Sequence, residues 1–140
     1  MKNDEMDRIE KVAAQGNADA QIYLGMLYCG GLDMRHDYAK AKEWFEKAAV
    51  QGYAKAQYNL GLMYAFGHGI PQDYAKAKEW FEKAAVQGLA IAQGLLGVMY
   101  EAGQGVCQDY AKAKEWYGQA CDNGSKTWGA EYKRLTEGGY

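Results

Sequence analysis

The two histidines and three cysteines of this chain of 140 residues are the first candidates for nucleophilic catalysis or metal binding. Nucleophilic catalysis needs a base next to the nucleophile, and His36 and His68 are the histidine bases available. Neither has a serine or a cysteine three or four residues away, where a helix would bring the two together. A hydrolase built on these residues is therefore the function that the sequence favours least.

One short segment contains several residue types that bind metals, namely Cys29, Asp33, His36 and Asp37. Their spacing matches no strong ligand signature, and Asp33 stands where the next repeat has Gly69. Aspartate tolerates the left-handed conformation better than most residues, so a turn explains Asp33 more simply than a metal does. We therefore predict no metal site, no cofactor and no enzymatic activity.

The composition is that of a soluble globular chain, with 49% hydrophobic and 24% charged residues. The net charge of −2 and the pI near 5.7 provide no basic footprint for nucleic acid or anionic membranes. No apolar run approaches the roughly 20 residues of a membrane span, so we expect no membrane insertion. The opening MKNDEMDRIE is too charged for a signal peptide. The chain would be cytoplasmic if complete, and periplasmic or secreted if a leader was removed.

One phrase dominates the sequence: DYAKAKEWFEKAAVQG at Asp37–Gly52 recurs unchanged at Asp73–Gly88, and a third copy, DYAKAKEWYGQACDNG, begins at Asp109. The period is 36 residues, and the motifs LGMLY, LGLMY and LGVMY follow the same period. Self-similarity of this length is typical of a solenoid, in which each repeat leaves an apolar face for its neighbour to cover.

Each repeat reads as two helices. The first, Ala54 to Phe66, carries small or apolar residues at helical spacing, and the second runs from Asp73 to Gln87. The glycines of GHGIPQ end the first helix, and Asp73 supplies the N-cap of the second. The fold class is therefore all-α, an α/α solenoid (superhelix) of about three and a half repeats and about eight helices. We expect a single repeat domain over 1–140, with capping helices at 1–16 and 125–140 and repeats at 17–52, 53–88 and 89–124.

The cysteines Cys29, Cys107 and Cys121 occupy three different positions of the repeat. A disulfide framework built into every repeat would keep its partners in phase, so we predict free thiols. The sequence alone leaves open whether any of them forms a disulfide.

The segment LGLMYAFGHGIPQDYAKAKEWFEKAA resembles the SLR family, the Sel-one-like repeats, which are relatives of the tetratricopeptide repeat. The resemblance extends from about Asp19 to Gly124 and implies an α/α solenoid that acts as an adaptor or scaffold, commonly in bacteria. Some secreted members carry, in each repeat, two cysteines separated by seven residues. Cys121 matches the first of such a pair, but Gly129 stands at the second, so the resemblance to that subfamily fails there.

The helix that carries the LGxxY motif has a second apolar face, opposite its core face. In the tetratricopeptide relatives this face lines the concave surface and holds ligands, and aromatic side chains suit such a surface. The alternative is that the adjacent repeat covers these side chains. Some positions differ between copies, as where Tyr58 becomes Gly94, which fits either a specialised binding face or drift. The predicted partner-binding residues are Ile22, Tyr23, Met26, Lys55, Tyr58, Asn59, Leu62, Phe66, Ile91, Leu95 and Val98.

The sequence thus predicts a non-enzymatic, monomeric scaffold or adaptor that binds a peptide or helix of a partner protein on its concave face. The alternatives are a protein that neutralises a toxin or effector and a structural spacer in an assembly. A hydrolase or metalloenzyme with a site in the loops ranks last.

Overall fold

The computed structural model describes residues 4–30 and 37–140, and these residues form eight α-helices and no β-strand. The prediction of an all-α chain with eight helices is confirmed. The helices are α1 (Asp4–Ala14), α2 (Ala18–Gly30), α3 (Tyr38–Val50), α4 (Ala54–Phe66), α5 (Tyr74–Ala85), α6 (Ala90–Ala102), α7 (Tyr110–Asp122) and α8 (Lys126–Glu137).

The helices belong to two compact units, one spanning Met1–Gln72 with α1 to α4 and one spanning Asp73–Tyr140 with α5 to α8. In each unit every helix packs against the next one along the chain. We call α2, α4 and α6, which carry the LGxxY motif, the A helices, and α3, α5 and α7 the B helices. Helices α1 and α8 flank them.

The predicted helix boundaries have the expected physical causes. The side chain of Asp73 accepts a hydrogen bond from the backbone N–H of Lys76 at 3.1 Å, which caps α5. Gly67 and Gly69 both have a φ of +67°, so the loop after α4 uses their freedom to turn. A Cβ on Gly69 would lie 2.4 Å from the Cβ of Tyr38, so this glycine also lets the loop rest on the start of α3.

The core joins glycines of the A helices to aromatic rings of the B helices. A Cβ built on Gly25 would lie 2.4 Å from the ring of Phe45, and one on Gly97 would lie 2.5 Å from the ring of Tyr117. Gly25 and Gly97, the glycines of the first and third LGxxY motifs, each admit an aromatic ring, because only a residue without a side chain leaves room for the ring.

A glutamine is buried in every A helix, which the sequence analysis did not predict. The side-chain amide of Gln21 donates to the carbonyl of Ala13 at 2.9 Å, and that of Gln93 donates to Ala85 at the same distance. Gln57 repeats the contact with Ala49 at 3.3 Å. Each glutamine thus adds a second donor to a carbonyl at the end of the preceding helix, which also accepts a backbone N–H from the following turn.

Helices α6 and α7, the last A helix and the last B helix, both contact α8. Trp128 of α8 stacks on Tyr117, with ring centroids 5.7 Å apart, and its indole covers Gly94. The hydroxyl of Tyr117 donates to Glu101 at 2.7 Å, and Arg134 of α8 forms an ion pair with the same carboxylate. α8 thus packs Trp128 and Leu135 against the cluster that contains Tyr117.

Candidate partner-binding site

In the first unit, the A helices expose large apolar side chains. Tyr23 is 49% exposed, Met26 54% and Phe66 64%, which is unusual for side chains of this size. Lys55 is also exposed, whereas Asn59 and Leu62 are half-buried. Four of the eight predicted residues of the first unit are therefore exposed, namely Tyr23, Met26, Lys55 and Phe66.

One predicted residue, Ile22, lies deeper than the rest. Ile22 is only 7% exposed and belongs to the core, so it offers a partner no surface. Tyr58, one period later, is half-buried, and this burial raises the pKa of its hydroxyl. Ile22 is buried while its neighbour Tyr23 is exposed, because one residue along a helix turns the direction of the side chain by about 100°.

A pocket of about 420 Å³ opens between α2, α3 and α4. Four predicted residues line it, namely Met26, Asn59, Leu62 and Phe66. The remaining lining residues were not predicted as partner-binding, and they are Cys29, Gly30, Tyr38, Phe45, Met63 and His68. Part of the predicted face therefore lines a concave, mostly apolar pocket. Pockets of this kind commonly hold ligands.

Three aromatic rings form one rim of this pocket. The ring of His68 lies 5.3 Å from that of Tyr38 and 5.6 Å from that of Phe66, measured between centroids. The left-handed glycines on both sides of His68 place its ring there. The only sequence signal for this arrangement is the middle position of the GxG loop, which is histidine in one repeat and glutamine in the next.

In the second unit the corresponding face is less open. Ile91 is 42% exposed, but Leu95 and Val98 are half-buried, and Val98 packs against the cluster that contains Tyr117 and Leu135. Gly94 is buried beneath Trp128. The change from tyrosine to glycine at this position therefore has a packing reason, because any side chain at Gly94 would collide with the indole.

The structure describes only some of the residues considered for catalysis or metal binding. His36 and Asp33 lie outside the described residues, and Asp37 is occupied as the N-cap of α3. Cys29 is half-buried, and this burial raises the pKa of its thiol, which makes it less reactive. Within residues 4–30 and 37–140, no three His, Cys, Asp or Glu side chains come close enough to hold a metal ion.

None of the three cysteines forms a disulfide bond in the structure. In the described part of the chain, no helix combines the length and apolar character that crossing a bilayer requires.

Comparisons with known proteins identify the repeat. The family model described as Sel1 repeat matches residues 18–53, 54–89 and 90–125, each one residue later than the repeat bounds predicted from the sequence. A comparison with curated proteins gives no significant match.

Among solved structures, the chain is similar to a protective antigen with an SLR fold present in uropathogenic Escherichia coli strains. The identity is 43% and the TM-score 0.85, over 90% of this chain but 27% of that one, so the chain spans about a quarter of that protein's length. It is also similar to a Sel1 repeat protein from Oxalobacter formigenes, at 35% identity and a TM-score of 0.82, covering 93% of this chain and 98% of that one.

Cysteine rich protein B of Helicobacter pylori, at 24% identity and a TM-score of 0.70, covers 89% of this chain and 95% of its own and shares the fold. The predicted fold class, an α/α solenoid, is confirmed by these neighbours. Sel1 repeats typically serve as protein-interaction scaffolds and are in general not catalytic. The three matched repeats and the similar structures together show that the chain belongs to the Sel1 repeat family.

Proposed function

We propose that this protein is a non-enzymatic scaffold that binds a peptide or helix of a partner protein on the outward face of its A helices. The observation that carries the proposal is the exposure of Tyr23, Met26 and Phe66 within one compact unit, next to the pocket between α2, α3 and α4. Ile91, Leu95 and Val98 extend the proposal to the second unit.

These apolar side chains are exposed to water, which is unfavourable, so burying them against a partner stabilises the complex. Fully burying one large apolar side chain contributes about 1.5–3 kcal/mol, so two or three such anchors would support a specific complex. A partner with apolar side chains at helical or extended spacing fits such a surface.

The test begins with affinity capture from the source organism and continues with the purified partner. Tyr23→Ala and Phe66→Ala should each weaken binding by about 1–3 kcal/mol, since each removes an exposed anchor. Lys55→Ala should leave the affinity nearly unchanged, because exposed charges contribute little.

Val50→Ala is the matched control. Val50 lies at the end of α3, is even more exposed than Phe66, and is outside the proposed surface. Equal losses of affinity in Val50→Ala and Phe66→Ala, or unchanged affinity in both aromatic variants, would refute the proposal. Circular dichroism establishes that each variant is folded.

A further inference from the structure

The electrostatic character of the pocket between α2, α3 and α4 depends on the helix ends beside it as well as on its lining residues. None of the described residues that line it is an aspartate, glutamate, lysine or arginine. Its walls are aromatic rings and the flexible, polarizable side chains of Met26 and Met63.

Two helices end at this pocket. α2 contributes Cys29 and Gly30 from its last turn, and α4 contributes Met63 and Phe66. A helix carries about half a negative charge at its C-terminal end, and a basic residue in the last turn usually compensates it. Neither α2 nor α4 has a basic residue in its last turn. α3 begins at the same pocket with Tyr38, and the carboxylate of Asp37 caps the positive end of that helix. Among the described residues, the pocket therefore combines π-electron faces with two helix C-terminal ends whose last turns carry no basic residue.

We infer that this pocket receives an arginine side chain of the partner segment, an inference that rests on the proposed function. The guanidinium is planar and weakly hydrated, so it stacks on aromatic rings such as Phe66 and Tyr38 while it faces the helix ends. Its aliphatic stem contacts the apolar walls formed by Met26 and Leu62. A carboxylate in the same place would face the negative ends of both helices.

The experiment uses small probes, so it does not depend on knowing the partner. The protein is labelled with ¹³C at its methionine methyl groups and titrated with N-acetyl-arginine N-methylamide. The expected result is a saturable shift of the Met26 and Met63 signals, with no shift at Met99, which is buried in the second unit.

Two further probes separate charge from shape. The citrulline analogue has nearly the same shape without the charge, and we expect it to bind at least about fivefold more weakly. The leucine analogue tests a neutral apolar occupant and should bind more weakly than the arginine probe. Phe66→Leu, which keeps an apolar side chain but removes the ring, should weaken arginine binding and leave leucine binding unchanged.

Equal binding of the citrulline and arginine probes would overturn the inference, as would tighter binding of the leucine probe. Absence of a saturable shift with the arginine probe would also overturn it. The proposed function fails separately, since it requires only that Tyr23→Ala and Phe66→Ala weaken the protein complex. Loss of that complex in these variants, together with a failed arginine titration, would leave the scaffold function standing and remove the arginine site.

Discussion

A disulfide between α7 and α8 can be created with one substitution, Gly129→Cys. A Cβ built on Gly129 would lie 3.6 Å from the Cβ of Cys121 and 2.9 Å from its Sγ. Across a disulfide the two Cβ atoms are about 3.8 Å apart, and bond lengths place each Cβ about 3 Å from the opposite sulfur. The backbone at these two positions therefore already has the geometry that a disulfide requires, although this chain has only one of the two cysteines.

The gain in stability follows from the length of the closed loop. Nine residues, 121 to 129, form the loop, and the chain-entropy relation gives a stabilisation of about 2.5 kcal/mol. Replacing a glycine inside a helix adds a few tenths of a kcal/mol in either redox state. The oxidised variant should thus have a free energy of unfolding about 2.5 kcal/mol above that of the same variant reduced.

The assay is urea unfolding of Gly129→Cys with and without a reductant, in a background in which Cys29 and Cys107 are serine. Thiol titration and a mass loss of two hydrogen atoms report whether the bond has formed. Gly129→Ser is the matched control, since it introduces a side chain of similar size that forms no bond. If the thiols stay reactive under oxidant, or if oxidation fails to stabilise the variant, the packing of α8 on α7 described above is wrong.

Three further predictions concern the repeat itself. Gln93→Leu should cost about 1–3 kcal/mol in urea unfolding, because it removes the buried hydrogen bond to the carbonyl of Ala85 and the amide oxygen that accepts from the side chain of Asn123. Partial burial tends to raise the pKa of Glu101, but hydrogen bonds from Arg134 and Tyr117 outweigh it and lower this pKa below the usual 4.5. Glu101 therefore contributes stability above about pH 4.5 that is lost as the pH falls through its folded pKa, and Glu101→Gln should flatten the acid side of a stability profile. Deletion of residues 53–88 joins the first identical segment directly to α6 and recreates the α5–α6 junction, so the shortened chain should fold with less helix in total by circular dichroism and lower stability.

The helical framework was predictable because its signals are local. The period, the capping aspartates and the loop glycines each act within a few residues, and α4 has the predicted bounds Ala54–Phe66. The buried glutamines also recur at the period, but a polar residue in a helix normally indicates an exposed position. Their burial depends on a hydrogen bond to a carbonyl of a different helix, which no local pattern predicts.

The candidate site was predictable only in part. α2 is apolar around most of its circumference, so the sequence did not reveal that Ile22 faces the core while Tyr23 faces outward. The aromatic rim brings together Tyr38 and His68, which are thirty residues apart in the sequence. Their contact depends on how the glycine loop rests on the start of α3, which is a property of tertiary packing.

The most direct test of the central claim, that the A-helix face holds a partner segment, is photo-crosslinking in the source cells. A photoreactive phenylalanine analogue is placed at Tyr23 or Phe66, and at Val50 as the control, in otherwise unchanged protein. The account predicts one discrete crosslinked partner from the two A-helix positions and none from Val50. No adduct from either A-helix position, or the same adduct from all three, would contradict it.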